Sequence, residues 1–316
     1  MSIGRYFSIP EVGVLIAVMV VTVSFSLLSD RFLTVHSLAV ILVRVAELGI
    51  VATGIAFLMI AGEFDLSVSS TFAFAPVIVA VLMGSGGLDP VTASLIGLSL
   101  ACLIGFINSR LVIKLGLPSF IATLGMMMFL RGTVLAITGG FLQRFEGGYL
   151  FRQILAGTIW GFFRSSIVWT LLICLLLALV LSRTRYGNWV FAVGGRKETS
   201  RMMGIPVAKV KTINFVVCSF LAALAGLISF ARLGMVAPTT GIGMELEAIA
   251  SAVIGGCLLT GGFGSVAGAF MGAFMIAMIQ HGLILVGAPP YWYTAFVGVL
   301  LVGGAAINIA IGRRSR

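Results

Sequence analysis

Six charged side chains stand inside stretches that are otherwise apolar: Arg44, Glu47, Arg131, Arg232, Glu245 and Glu247. A charge near the middle of a bilayer costs about 2.5–3.5 kcal/mol on insertion scales, so each of these needs a partner or a purpose. Arg44 and Glu47 are three residues apart, a spacing that lets them meet side by side on one helix. The chemistry open to such a set is electrostatic: an ion-paired cluster in the outer half of a membrane, shaping a polar passage and its rim. Residues of this kind also snorkel to an interface or staple helices together. Covalent and metal chemistry lack the residues they need. His36 and His281 are the only histidines, and neither has the spacing of a metal site or a triad. Cys102, Cys174, Cys218 and Cys257 lie singly in apolar runs and read as small core residues. No Gly-x-x-x-x-Gly-Lys-Ser/Thr loop occurs, and Gly261-Gly262-Phe263-Gly264 lacks the strand context of a dinucleotide site. A nucleotide, if one is used, is bound by another subunit.

The elements that carry these charges are set by composition. The chain has 316 residues, 60% of them hydrophobic and only 9% charged, against about 25% charged in a soluble domain. Its solvent is lipid. A spanning helix takes about 20 apolar residues, and the length accommodates about ten: 11–29, 38–60, 66–84, 91–108, 117–138, 166–182, 213–233, 248–261, 265–286 and 291–311. The first is too long for a signal-peptide core and has no small-residue cleavage site after it, so it reads as retained. The eighth is short and Gly-rich, which suggests a broken or partial span. The expectation is an all-α polytopic membrane protein forming one transmembrane unit over residues 1–316.

Lys and Arg in short loops remain cytoplasmic. With both termini inside, Arg5, Arg110, Lys114 and the C-terminal Arg313, Arg314 and Arg316 all fall on that side. So does the one long polar island, the loop 183–212, with Arg183, Arg185, Arg196, Lys197, Arg201, Lys209 and Lys211 around a single acid, Glu198. The formal charge of +10 is therefore explained by topology, and nucleic acid is not an expected partner. One loop dissents. Residues 139–165 are placed outside yet hold Arg144, Arg152 and Arg164, and Trp160-Gly161-Phe162-Phe163 suggests a short amphipathic segment at the interface. Most of the 40 glycines read as sites where helix backbones pack closely in lipid.

Two stretches match in register: Asn108 to Phe120 (NSRLVIKLGLPSF) and Gln280 to Trp292 (QHGLILVGAPPYW). Gly62-Glu63-Phe64-Asp65-Leu66-Ser67 before span three likewise has a counterpart in Gly243-Met244-Glu245-Leu246-Glu247 before span eight. Five spans separate the copies, an odd number, so spans 2–5 and 7–10 are expected to form an inverted repeat, a plan known in transporters. Asp65 opens span three with Ser67, Ser69 and Ser70 behind it. It reads as a helix cap, with a direct place in a passage as the alternative.

Several stretches together resemble one family, the permease subunits of bacterial ABC importers for ribose and related monosaccharides. GEFDLSVSS at 62–70 resembles the family's Gly-Gly-Ile-Asp-Leu-Ser-Val-Gly-Ser signature, and FIATLGMMMFLRG at 120–132 its fifth-span motif. TRYGNWVFAVGGRKETSRMMGI at 184–205 resembles the cytoplasmic segment that meets the ATPase, and PTTGIGMELEAIASAVIGG at 238–256 the distal half. The resemblance runs from about Arg31 to Asn308. Glu63, Phe64 and Ser69 depart from the signature's Gly, Ile and Gly, and Phe263 stands where a polar or basic residue is usual. These departures bear on which sugar is carried.

The resemblance implies a multi-pass permease of the bacterial inner membrane that pairs with a second permease subunit, identical or related. Two ATP-binding-cassette subunits would dock beneath it, holding ATP and Mg, and a periplasmic or extracellular sugar-binding protein would deliver cargo. This chain would then be a transport subunit and not an enzyme, with no cofactor of its own. Carried over by position, Gly195, Arg196, Lys197, Glu198, Arg201, Met202, Met203 and Gly204 would form the helix that couples to the ATPase. Exposed methionines in a cytoplasmic loop ask for a partner surface; the plainer alternative is a solvated basic loop. Asn108, Phe120, Thr123 and Gln280, with Asp65, are the candidates to line a path for a hydroxyl-rich cargo moved by alternating access. The rival readings are an ion-gradient-driven secondary transporter, an importer permease for a nucleoside or branched-chain amino acid, and a membrane scaffold without a path.

Overall fold

The computed structural model describes residues 10–145, 148–159 and 161–314, with side chains between residues 13 and 306. Arg5, Trp160 and Arg316 lie outside the described residues. The order among those described is α1 (Pro10–Leu28), α2 (Val35–Ile60), α3 (Val68–Gly84), α4 (Pro90–Ile113), α5 (Ser119–Thr138), β1 (Gln143–Arg144), α6 (Tyr149–Ala156), β2 (Thr158–Ile159), β3 (Phe163–Arg164), α7 (Ser165–Arg183), α8 (Arg185–Gly195), α9 (Lys197–Met202), α10 (Val207–Leu233), β4 (Met235–Val236), α11 (Met244–Ile254), α12 (Val266–Leu285) and α13 (Pro290–Arg314). Six of these helices are long and apolar enough to cross a membrane: α2, α4, α5, α7, α10 and α12. The chain is a mostly helical, multi-pass membrane protein.

Local sequence explains where the helices start. Thr34 accepts a hydrogen bond from the Ser37 N–H to cap α2, and Asp89 accepts from Val91 and Thr92 to cap α4 with Pro90 at its first position. Ser265 does the same for α12 through the Gly268 N–H. Each satisfies donors that the helix itself leaves open.

The long helices α2 and α10 run antiparallel through the centre. Gly54 sits against Cys218, and the Asn214 amide donates to the Phe57 carbonyl at 3.1 Å. Both helices are mostly buried, whereas α5 and α7 leave most of their residues facing outward. Phe57, Phe72 and Phe215 fill the core that these helices share with α3, and Phe230 fills a second cluster between α3, α5 and α10. On the other side of α2, α12 packs with α1 and α11.

The eighth expected span, 248–261, is not one helix. α11 ends at Ile254, and its 11 residues reach about 16 Å at 1.5 Å per residue, half of a bilayer core. Residues 255–265 continue as irregular backbone, which membrane depth tolerates only when protein surrounds it. Glycine permits that. A Cβ on Gly255 would lie 2.2 Å from the Gly268 carbonyl carbon, and one on Gly268 would lie 2.0 Å from the Gly255 oxygen. Gly268→Ala is therefore expected to destabilise by about 1–3 kcal/mol, the usual cost of overpacking, seen as a lower unfolding midpoint in detergent. Gly125→Ala, with nothing within 4 Å of the added carbon, should leave the midpoint in place. Equal midpoints for the two variants would mean that α11 and α12 part easily.

The loop 139–165 differs from expectation. Of the stretch expected to be amphipathic, Trp160 lies outside the described residues, and Phe163 belongs to a hairpin in which β2 and β3 pair with Ile159 opposite Phe163. The amphipathic piece is α6, just before it. β1 pairs with β4 beyond the end of α10. The arginines that broke the charge pattern have local work, since Arg152 donates to the Ala231 carbonyl at 3.0 Å and Arg164 to Ala156 at 2.9 Å.

Candidate translocation and docking sites

The six charges of the apolar stretches lie on the first half of α2, the second half of α5, the end of α10 and the start of α11. Arg44 and Glu47 do not pair with each other as their spacing suggested. Arg44 of α2 pairs with Glu247 of α11, while Arg232 of α10 grips Glu47 Oε1 through both Nε (3.0 Å) and Nη2 (2.7 Å). Glu47 is 5% exposed and Glu247 8%, so neither carboxylate is left to snorkel. On one helix, neighbours at i and i+3 compete with partners from elsewhere, and here the longer-range partners win because they satisfy two buried acids rather than one.

Arg131 and Glu245 are arranged differently. Arg131 Nη1 donates to the carbonyls of Pro238 (2.6 Å) and Thr240 (3.0 Å), tying α5 to the segment before α11. Glu245 makes no ion pair with it within 4 Å, and Glu245 Oε2 is buried without a hydrogen-bond partner. The two line a cavity of about 250 Å³ together with Ser69, Met127, Met128, Gly132 and Ile242.

Asp65, Asn108 and Thr123 come together around the irregular segment between α2 and α3. Asp65 accepts from the backbone N–H and the hydroxyl of Ser67, at 2.8 and 2.6 Å, so it serves the start of α3 from two residues before the cap position. Asn108 of α4 donates to the Ser67 hydroxyl at 2.9 Å. Thr123 of α5 accepts from the Leu66 N–H (3.0 Å), and Ser119 accepts from the Phe64 N–H (3.1 Å). Side chains of α4 and α5 thus supply the partners that non-helical backbone needs when water is absent. Phe120 and Gln280 stand apart. Phe120 is exposed on α5, and Gln280 is half-buried on α12, which packs on α1, α2 and α11.

The polar island folds into α8, α9 and the first turns of α10. Gly195 ends α8, Arg196 makes the joint, and α9 carries Lys197, Glu198 and Arg201. Glu198 and Arg201 face each other at 3.7 Å and remain well exposed. Met202 is 87% exposed and Met203 76%, and Gly204 closes the turn with φ +77°. Directly behind this point three chain segments meet in backbone contact. A Cβ on Gly194 would lie 1.8 Å from the Ile60 carbonyl oxygen and 2.6 Å from the Gly262 nitrogen, and the Gly262 N–H donates to that same carbonyl at 2.8 Å. The end of α8 is therefore seated on both irregular segments, 61–67 and 255–265, and α9 follows directly from it.

One pair escaped sequence reasoning. Lys211, grouped with the solvated cations of the island, is buried on α10 and ion-paired with Glu63. A signal for it exists: Val207, Val210, Lys211, Asn214, Phe215 and Cys218 repeat at helical spacing, and all are buried. Lys211 sits on the core face, not on the solvated one.

Comparison with known proteins gives a consistent picture. Residues 37–304 match the family model described as branched-chain amino acid transport system / permease component. The ribose import permease protein of Escherichia coli (strain K12) is 34% identical, covering 94% of this chain and 94% of its own length. The autoinducer 2 import system permease protein of Salmonella typhi is 33% identical, covering 93% of this chain and 84% of its own. The autoinducer 2 permease protein of Salmonella typhimurium (strain LT2) shows the same identity and coverage. No solved structure matches the chain.

Proposed function

Because the chain belongs to the family of transport-system permease components, we propose that it is the membrane subunit of an ATP-driven importer whose cargo is a monosaccharide or related polyol. It is a transport subunit and not an enzyme. The observation that carries the cargo class is the near full-length likeness to a ribose import permease. ATP and Mg belong to two separate ATPase subunits that dock on α9. A second permease subunit completes the path, and a soluble binding protein delivers sugar to the opposite face. The membrane is the bacterial inner membrane.

Both termini are cytoplasmic, with 183–212 as the coupling loop and 139–165 as the external loop of a single unit over 1–316. The basic residues of the island, together with Arg110 and Lys114, support that orientation. The count of ten passes includes α11 with residues 255–265 as one broken pass. The inverted repeat of spans 2–5 and 7–10 is supported by the antiparallel α2 and α10, each followed by irregular backbone. Transport is by alternating access: closure of the ATPases pushes α9, and the glycine seam at Gly62, Gly194 and Gly262 passes the movement to both irregular segments. Asp65, Asn108, Thr123, Phe120 and Gln280 lie along elements that would reorient.

A second reading has a specific observation in its favour, since the family description names branched-chain amino acids. The deciding experiment is uptake into proteoliposomes holding the permease with its ATPase and binding protein. Ribose, xylose, glucose, ribitol, adenosine and leucine are offered with and without ATP. ATP-dependent accumulation of a sugar or polyol is expected. Leucine or adenosine uptake alone would transfer the chain to the second class, and accumulation that needs an ion gradient but no ATP would make it a secondary carrier.

A further inference from the structure

The cavity between α3, α5 and α11 combines features that packing does not account for. Arg131 and Glu245 both line it, yet they do not close an ion pair as Arg44 with Glu247 and Arg232 with Glu47 do. The hydrogen bonds of Arg131 leave from Nη1, so Nε and Nη2 have no protein partner among the described residues. Glu245 Oε2 is buried and has no hydrogen-bond partner among the described residues. A buried carboxylate oxygen left open is costly unless something polar occupies the space beside it. Gly132 adds a third sign. It lies inside α5, where glycine is less favourable than alanine, and no atom lies within 4 Å of where its Cβ would be. Close helix approach explains Gly255 and Gly268. At Gly132, as at Gly125 on the same exposed helix, nothing approaches, and Gly132 alone of the two borders the cavity.

We propose that this cavity is a cargo-binding site of the permease for a small, uncharged molecule with adjacent hydroxyl groups. Glu245 accepts a hydrogen bond from one hydroxyl, and the free edge of Arg131 donates to the oxygen of a neighbour. Each hydroxyl both donates and accepts, so one diol spans an acid and a base that are too far apart to bond each other. Met127, Met128 and Ile242 supply apolar surface for the C–H face of the molecule. A zwitterion would also find an acid and a base here. It would first have to surrender the hydration of two full charges, which a neutral polyol does not. At about 250 Å³ the space falls just below the usual range for ligand pockets, in keeping with a small cargo held briefly in transit.

The site rests on the sugar-importer reading above, and the test separates the two. Proteoliposomes with the complete transporter are given [14C]-labelled ribose, xylose, glucose and ribitol, and whichever wild type accumulates fastest is the probe. Glu245→Gln keeps the shape and removes the charge, and Gly132→Leu adds bulk at the cavity wall from a position where the added Cβ meets no atom within 4 Å. Both variants are expected to lose at least tenfold in uptake of the probe while inserting in the membrane and co-purifying with the ATPase as wild type does. Gly132→Ala, which takes little of the space, should lose less than Gly132→Leu. Wild type moving a sugar while both variants stay within twofold of it overturns the site alone. Wild type moving none of the four overturns the importer reading, and the site with it.

Discussion

Replacing Met202 and Met203 together with aspartate is expected to stop ATP-dependent uptake while leaving the chain inserted in the membrane. The two methionines are the most exposed large apolar side chains of the α8–α9 region. Unlike the exposed apolar residues of the long helices, these two follow a helix with the charges Lys197, Glu198 and Arg201, which belongs in water. Burying a Met side chain contributes about 1.5–3 kcal/mol, and only part of buried area converts to affinity. Two methionines lost and two carboxylates gained still weaken docking by about 3 kcal/mol or more, on the order of a hundredfold. The measurement is twofold: ATPase retained on the purified permease, and uptake into proteoliposomes. Local fold should survive, because neither side chain packs in the interior. Unchanged uptake would reduce the island to a basic loop that fixes topology and receives no force.

How far that island was legible follows from the physics of each residue. Its position, and that of nearly every helix, comes from local signals: apolar run lengths, Thr34, Asp89 and Ser265 at starts, and Pro90 at a first turn. These act over a few residues and can be read along the chain. The charge partners cannot. Arg44 finds Glu247, Arg232 finds Glu47 and Lys211 finds Glu63 across 203, 185 and 148 residues respectively. The sequence spacing that favoured Arg44 with Glu47 is a real proximity, overruled by helices that the fold brings alongside. The end of α11 was partly legible: the Gly-rich run past Ile254 marked a broken span, and Gly256, at φ +89°, takes the left-handed conformation that stops the helix. How closely α12 then approaches, with Gly255 against Gly268, depends on tertiary packing. Asp65 shows an intermediate case. Its capping chemistry was plain, but the depth at which Asn108 and Thr123 enclose it depends on tertiary packing.

The Glu63–Lys211 pair carries the second large expectation. Glu63 lies in the irregular segment after α2, next to Gly62 in the glycine seam, and Lys211 is on the second turn of α10, shortly after the exposed methionines. Both are almost wholly buried. Taking charges out of water is expensive, and a buried pair roughly offsets that cost only while both partners are present. Lys211→Met should therefore destabilise by about 3–5 kcal/mol, because it abandons a carboxylate with no water to solvate it. Glu63→Gln should do the same to the ammonium group. The double variant Glu63→Met/Lys211→Met removes both charges and fills similar volume, so it is expected to return to wild-type stability or exceed it. Unfolding of a chain this size in detergent is a rate as much as an equilibrium, so the comparison is of midpoints taken at one heating rate, with single variants low and the double restored. A double variant as unstable as the two singles combined would show that the side chains contribute through separate contacts. If the double is stable but transports poorly, the pair does more than hold. It links the start of α10 to the backbone of 61–67 beside the docking helix, and a permanent apolar contact in its place would lack the option of parting when that helix moves.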